Sequence, residues 1–176
     1  MIPELGHYAL VLALFAAGVQ ALLGLLGAAR KDAYWILASG PAASTQFLLI
    51  AFSFLALTYA FVTSDFSVAA VAKYSHSAKP LLYKISGVWG NHEGSMLLWV
   101  FILALYGQIL VLLGKNLPHS LRARILGVQG CLSTGFLLFI LFTSNPFLRL
   151  DPTPMNGQGL NPLLQDPGLA FHPPFL

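Results

Sequence analysis

The sequence has 176 residues, of which 57% are hydrophobic and only 9% are charged, and its mean hydropathy is +0.75. Soluble domains carry about 25% charged residues, so this composition excludes an ordinary soluble domain and indicates an integral membrane protein. Nine basic and six acidic side chains are too few for the basic surface that binds nucleic acid, so we expect no nucleic-acid partner.

Four apolar stretches are long enough to cross a membrane as helices, which takes about 20 residues. The sequence predicts spans at about residues 6–29, 41–63, 91–113 and 121–144. The first is expected to be a retained span, because it lacks the charged start and the cleavage site of a signal peptide. Backbone groups in lipid must bond within their own segment, so the predicted fold class is all-α.

The connections alternate in length, and the basic residues near the span ends predict the orientation of the chain in the membrane. Residues 30–40 and 114–120 form short loops, whereas residues 64–90 and 145–176 are long. Basic residues near span ends favour the cytoplasm, and five of them cluster at the short loops: Arg30, Lys31, Lys115, Arg122 and Arg124. We therefore expect the short loops in the cytoplasm, and the N-terminus and long loops outside an inner (cytoplasmic) membrane, on the periplasmic side if the cell is Gram-negative.

Two regions follow from this organisation. Residues 1–144 form the predicted four-helix membrane region, with residues 64–90 as an outer loop. Residues 145–176 form a second outer loop that contains seven of the eleven prolines, which excludes a long helix.

Cys131 is the only cysteine, so no internal disulfide can form. Its apolar surroundings predict a buried thiol.

The stretch GVWGNHEGSMLLW, residues 87–99, lies at the predicted outer mouth of the third span. Asn91 is a suitable helix N-cap, and Glu93 would lie in the first turn, where the helix dipole favours an anion. His92, Glu93 and Trp89 are a possible outer-face binding site, and capping with interfacial anchoring is the alternative. A metalloprotease is excluded, since HEGSM lacks the second histidine of HExxH.

The final residues, QDPGLAFHPPFL, place His172 between Phe171 and two prolines. Pro173 restricts the backbone of the histidine, and aromatic side chains lie on either side of it. An imidazole held in an apolar, aromatic setting is what a haem iron ligand requires. The alternative is that the HPP sequence only forms a rigid turn.

Three stretches together resemble a known family: MIPELGHYALVLAL, WGNHEGSMLLW and SNPF…LNPLLQDPGLAFHPP. They are similar to the N-terminal portion of the CcmF family of cytochrome c maturation proteins. These are haem lyases defined by a tryptophan-rich WWD segment, and the paralogous NrfE proteins share much of the pattern. The resemblance covers essentially the whole chain.

The resemblance implies that the chain takes part in haem handling and in covalent haem attachment to apocytochrome c. It implies b-type haem in transit, a CcmE-type haem chaperone, and CcmH/CcmI-type proteins that present the apocytochrome. His172 matches the first of two periplasmic histidines that ligate the haem iron, and no catalytic residue is assigned. Membrane lipid is a further expected partner.

The sequence departs from the family in having no WWD segment, because Trp35, Trp89 and Trp99 are scattered. We therefore expect a fragment or one product of a split gene, which is inactive alone and depends on a missing C-terminal WWD portion. The alternative function is a structural membrane subunit that docks apocytochrome-presenting partners without binding haem.

Overall fold

The structure is a computed structural model that describes residues 1–159 together with Asn161 and Gly168. Within these residues the chain forms six α-helices, and a 3-10 turn, Gly114–Asn116, follows the fifth. The helices are α1 (Ile2–Arg30), α2 (Ala33–Val62), α3 (Ala69–Tyr74), α4 (Leu81–Ser86), α5 (His92–Leu113) and α6 (His119–Thr143). Helices α1, α2, α5 and α6 are long and apolar enough to cross a membrane, as the sequence predicts.

The four long helices form one bundle, in which α1 packs against α2 and α6, and α5 packs against α2 and α6. Small residues allow the close approach of α1 and α6. A Cβ atom added to Gly24 would overlap the Ala123 carbonyl oxygen, and one added to Gly130 would lie 2.7 Å from the Ala21 nitrogen. In lipid, helices associate through such backbone-to-backbone packing.

The second span begins earlier than predicted, and the expected loop at residues 30–40 is wrong. Lys31 adopts a left-handed conformation that reverses the chain. Asp32 then caps α2, because its Oδ1 accepts hydrogen bonds from the Tyr34 nitrogen at 2.9 Å and the Trp35 nitrogen at 3.2 Å. Pro41 lies inside the helix instead of starting it. Membrane helices tolerate an internal proline where neighbouring groups satisfy the backbone.

The long connection after α2 is more regular than an open loop. It contains α3 and α4, and Val68 forms an isolated antiparallel bridge with Arg149. Residues 145–159 are irregular, as predicted for this part of the final segment. These two segments cover the end of the bundle where α1 and α5 begin and α2 and α6 end. We call it the loop-covered end.

The prediction of a buried Cys131 is wrong. Cys131 is exposed on the surface of α6, beside the exposed Leu132. The outer face of a membrane helix is apolar because it meets lipid, so an apolar sequence around a cysteine does not place the thiol inside the protein.

A buried glutamine pair links three of the spans at mid-depth. The Gln20 amide on α1 donates to the Leu126 carbonyl at 2.7 Å and to Gln129 Oε1 at 3.0 Å, both on α6. The Gln129 amide donates to the Leu103 carbonyl on α5. Gly107 leaves room for this contact, since an added Cβ would overlap Gln129 Oε1.

We expect Gln129→Ala to lower the free energy of unfolding by about 1–2 kcal/mol, because hydrogen bonds to two helices are lost in an apolar medium. Equilibrium unfolding in mixed micelles measures this loss. Val128→Ala is the matched control, since Val128 is the preceding residue and faces outward. A loss for Gln129→Ala no larger than the loss for Val128→Ala would show that the network adds no stability.

Candidate functional site

The side chain of Arg149 joins three parts of the chain at the loop-covered end. Its guanidinium bonds to the carboxylate of Glu4 at the start of α1 and to the hydroxyl of Ser67, and it lies 3.4 Å from Asp65 Oδ2. We call these four residues the Arg149 cluster. It ties the first helix and the long connection to the segment that follows the last span.

Backbone hydrogen bonds fix the same segment beside Arg149. The Ala69 nitrogen donates to the Leu148 carbonyl at 2.8 Å, and the Leu150 nitrogen donates to the Ser67 carbonyl at 2.8 Å. These two hydrogen bonds lie on either side of the isolated antiparallel bridge between Val68 and Arg149. The position of residues 148–150 is therefore set by main-chain geometry as well as by charge.

A second set of contacts holds the segment further along. The Gln158 nitrogen donates to the Ala72 carbonyl at 2.8 Å, and the Gly159 nitrogen donates to the Ser75 carbonyl at 3.0 Å. Gly157 passes so close that an added Cβ would overlap the Ser75 carbonyl oxygen. The segment is thus anchored at both ends of its described length.

The WGNHEGS stretch builds the start of α5, and Asn91 is its N-cap, as predicted. Asn91 Oδ1 accepts a hydrogen bond from the Gly94 nitrogen at 2.7 Å, while its amide donates to the Gly87 and Val88 carbonyls at 2.7 and 3.0 Å. A Cβ added to Gly94 would overlap the Val88 carbonyl oxygen. Asn91 and Gly94 therefore have a structural role.

The three residues of the possible outer-face site all lie at this end of the bundle. His92 is exposed, and its ring meets Phe139 edge-on at 6.1 Å. Trp89 is half-buried and packs against the core of the bundle. Glu93 is half-buried, and its Oε2 is buried without a hydrogen-bond partner among the described residues.

Burial and the carboxylate of Glu93 both affect the pKa of Tyr74 on α3. Burial of Tyr74 raises the pKa of its phenol, and the negative charge of Glu93 raises it further. Among the described residues, no group of three histidine, cysteine or acidic side chains could hold a metal ion. The buried Oε2 atom of Glu93 therefore offers an acceptor for a hydrogen-bond donor.

His7 also belongs to the loop-covered end. Its Nδ1 lies 3.4 Å from the amide nitrogen of Asn145, and its ring packs edge-on to Phe147 at a centroid distance of 6.4 Å. Gly6 makes this possible, because an added Cβ would lie 2.7 Å from the Phe147 ring. These contacts join α1 to the segment after α6.

His172, the predicted iron ligand, lies outside the described residues. The last residue of the continuous described chain is Gly159, thirteen positions earlier. What the structure provides is the anchoring of the chain that leads to His172.

Comparisons with known proteins agree with this architecture. A family model described as cytochrome C assembly protein matches residues 89–176. The whole chain is 61% identical to the cytochrome c-type biogenesis protein ccl1 of Rhodobacter capsulatus and 57% identical to CycK of Rhizobium meliloti, covering 27% and 26% of those proteins.

A solved structure, the cytochrome c heme lyase CcmF, matches with a TM-score of 0.76 and 26% identity. The match covers 84% of this chain and 25% of that protein. The chain thus spans about a quarter of the length of the curated relatives it matches.

Proposed function

This chain belongs to the cytochrome c assembly protein family, and from that premise we propose that it forms part of a haem lyase, the N-terminal portion of a CcmF-type protein. In this proposal it helps to attach haem covalently to apocytochrome c. The support is its similarity, over the full chain, to proteins of cytochrome c-type biogenesis and to a solved haem lyase.

The proposed role of His172 is to bind the iron of a b-type haem in transit as one axial ligand. This role is supported by the contacts that hold residues 145–159 across the loop-covered end. The Arg149 cluster and the hydrogen bonds of Gln158 and Gly159 give the chain that leads to His172 a fixed starting point.

Haem is the substrate here, and its vinyl groups are the positions to which the cysteine thiols of a CxxCH peptide add. A neutral imidazole nitrogen from His172 would hold the iron on one side. A second histidine, from a WWD-containing portion, would complete the pair. The chain's own part is to hold and orient the substrate.

We further propose that the loop-covered end faces the periplasm and that the membrane is the inner membrane. The opposite end carries Arg30, Lys31 and Lys115, with Arg122 and Arg124 in the first turns of α6. At the loop-covered end, Arg149 is neutralised by two carboxylates. Lys73, Lys79 and Lys84 also lie at the loop-covered end, but they are spread along the long connection, whereas the five basic residues of the opposite end cluster at two short connections. This concentration of basic residues next to the span ends favours the cytoplasm at the opposite end.

The proposed partners follow from this reaction. A CcmE-type chaperone would deliver haem to the loop-covered end, and CcmH/CcmI-type proteins would present the apocytochrome there. The surface formed by α3, α4 and residues 145–159, which backbone hydrogen bonds hold together, also favours a second candidate function. In that alternative the chain docks these partners and never binds haem.

We expect His172→Ala to abolish the haem absorption bands of membranes in which the chain is produced with a haem chaperone and a WWD-containing portion. The reason is the loss of an axial ligand to the iron. Absorption spectra of the reduced membranes, with immunoblots for protein level, make the measurement.

The matched control is His76→Ala. His76 belongs to the same end, and its Nδ1 accepts a hydrogen bond only from the nearby Ala78 nitrogen at 3.2 Å among the described residues. The control should retain the spectrum. If His172→Ala also retains the spectrum and cytochrome maturation continues, the docking function replaces the haem-binding one.

A further inference from the structure

Two lysines at the loop-covered end have no carboxylate partner among the described residues. The Lys79 ammonium donates to the Tyr74 carbonyl at 3.3 Å, and the Lys84 ammonium donates to the Ser64 hydroxyl at 2.7 Å. The salt bridges of the described chain all involve Glu4 or Arg149 instead. Because an ammonium has three donor hydrogens, each lysine keeps donor capacity for a further acceptor.

Both lysine side chains lie in surroundings that disfavour their charged form. Each side chain is half-buried. Burial lowers the pKa of Lys79 to about 8, and the positive charge of Lys84 lowers it further. Lys79 lies two residues before α4 and Lys84 lies within α4, so both side chains leave one short segment of the chain. Bringing two like charges together without a counter-charge destabilises a protein, and a bound anion would remove that cost.

The backbone around Lys84 contributes to this arrangement. Ser64 is one of two non-glycine residues with a left-handed conformation in the described chain, with φ of 57°. This conformation follows the end of α2 and places the hydroxyl where Lys84 can donate to it. Unfavourable backbone conformations persist where the surrounding structure demands them.

We propose that Lys79 and Lys84 bind the propionate carboxylates of the haem substrate, an inference that rests on the proposed function. Haem carries two carboxylates at one edge, and the two ammonium groups of this short segment match that charge and number. Charge-assisted hydrogen bonds to carboxylates are stronger than those between neutral groups. The lysines would hold the propionate edge while the iron is ligated elsewhere.

The test compares haem with haem dimethyl ester, in which both carboxylates are esterified and uncharged. Each porphyrin is titrated into the haem-free complex, purified with its partners from membranes, and binding is followed by absorption. The variants are Lys79→Gln, Lys84→Gln and the double variant. The control is Lys73→Gln, because Lys73 is an exposed lysine of the same connection.

We expect the double variant to weaken haem binding by about fivefold to tenfold, the effect of losing two partly exposed ion pairs. Binding of the dimethyl ester should not change, and Lys73→Gln should affect neither porphyrin. An equal loss for both porphyrins, or no loss for haem, would overturn the proposal. An equal loss would also result if the lysines held a lipid phosphate instead.

His172→Ala separates this inference from the function on which it rests. It should remove the ligated-iron spectrum with haem and with the dimethyl ester alike. If that spectrum survives, the proposed function fails. If it is lost, and the lysine variants still bind both porphyrins as the wild type does, only the propionate site fails.

Discussion

Gly94→Ala is expected to lower the free energy of unfolding by roughly 3 kcal/mol, because the new methyl group would overlap a backbone carbonyl that cannot rotate away. The Val88 carbonyl lies directly against Gly94 and also accepts a hydrogen bond from the Asn91 side chain. Moving it would disrupt the cap of α5. Thermal unfolding of the detergent-solubilised protein, monitored by circular dichroism, measures the loss.

Gly135→Ala provides the matched control for this substitution. Gly135 lies in α6, and an added Cβ would meet nothing within 4 Å. Alanine has the higher helix propensity, so this variant should be neutral or stabilised by up to about 1 kcal/mol. Equal melting temperatures for the two variants would show that the Val88 carbonyl yields easily and that the cap is not rigid.

Arg149→Gln is expected to have its main effect on function. The side chains of Arg149, Glu4 and Asp65 are 35%, 46% and 34% exposed, so solvent screening limits the loss of stability to about 1 kcal/mol. The segment that leads to His172 would lose the charge that positions it. A misplacement of about 1 Å can reduce a rate by roughly 100-fold, and we expect holocytochrome c yield to fall by at least about tenfold.

Two measurements check this expectation in the same cells. The yield of holocytochrome c is determined by haem staining, and limited proteolysis reports whether residues 145–159 remain protected. Lys73→Gln removes a positive charge from the same end and serves as the control. A variant with normal yield and normal protection would show that the backbone contacts alone position the segment.

The four spans could be predicted because each is a long apolar segment, and length alone identifies such a helix in lipid. The cap at Asn91 could be predicted for a similar reason, since a cap depends on residues three positions apart. At the start of the second span, two local sequence signals indicate different positions. Asp32 is a good N-cap, whereas the apolar pattern predicts that the second span starts at residue 41, and the cap determines where α2 begins.

The Arg149 cluster could not be predicted, because its members are separated by up to 145 positions in the sequence. No local sequence pattern identifies Glu4 or Asp65 as the partner of Arg149. The two lysines proposed to bind the haem propionates could not be predicted either. Lys79 and Lys84 are close in sequence, but only the folded structure shows that neither has an acidic partner among the described residues.

The glutamine pair has a consequence for how the protein is made. Both acceptors of the Gln20 amide lie on α6, 106 and 109 residues further along the chain. At a synthesis rate of about 5–20 residues per second, roughly 5–20 s pass between the emergence of the first span from the ribosome and that of its partner. During this interval the Gln20 amide lacks both of its acceptors, so this hydrogen-bond network forms only after the fourth span has been made.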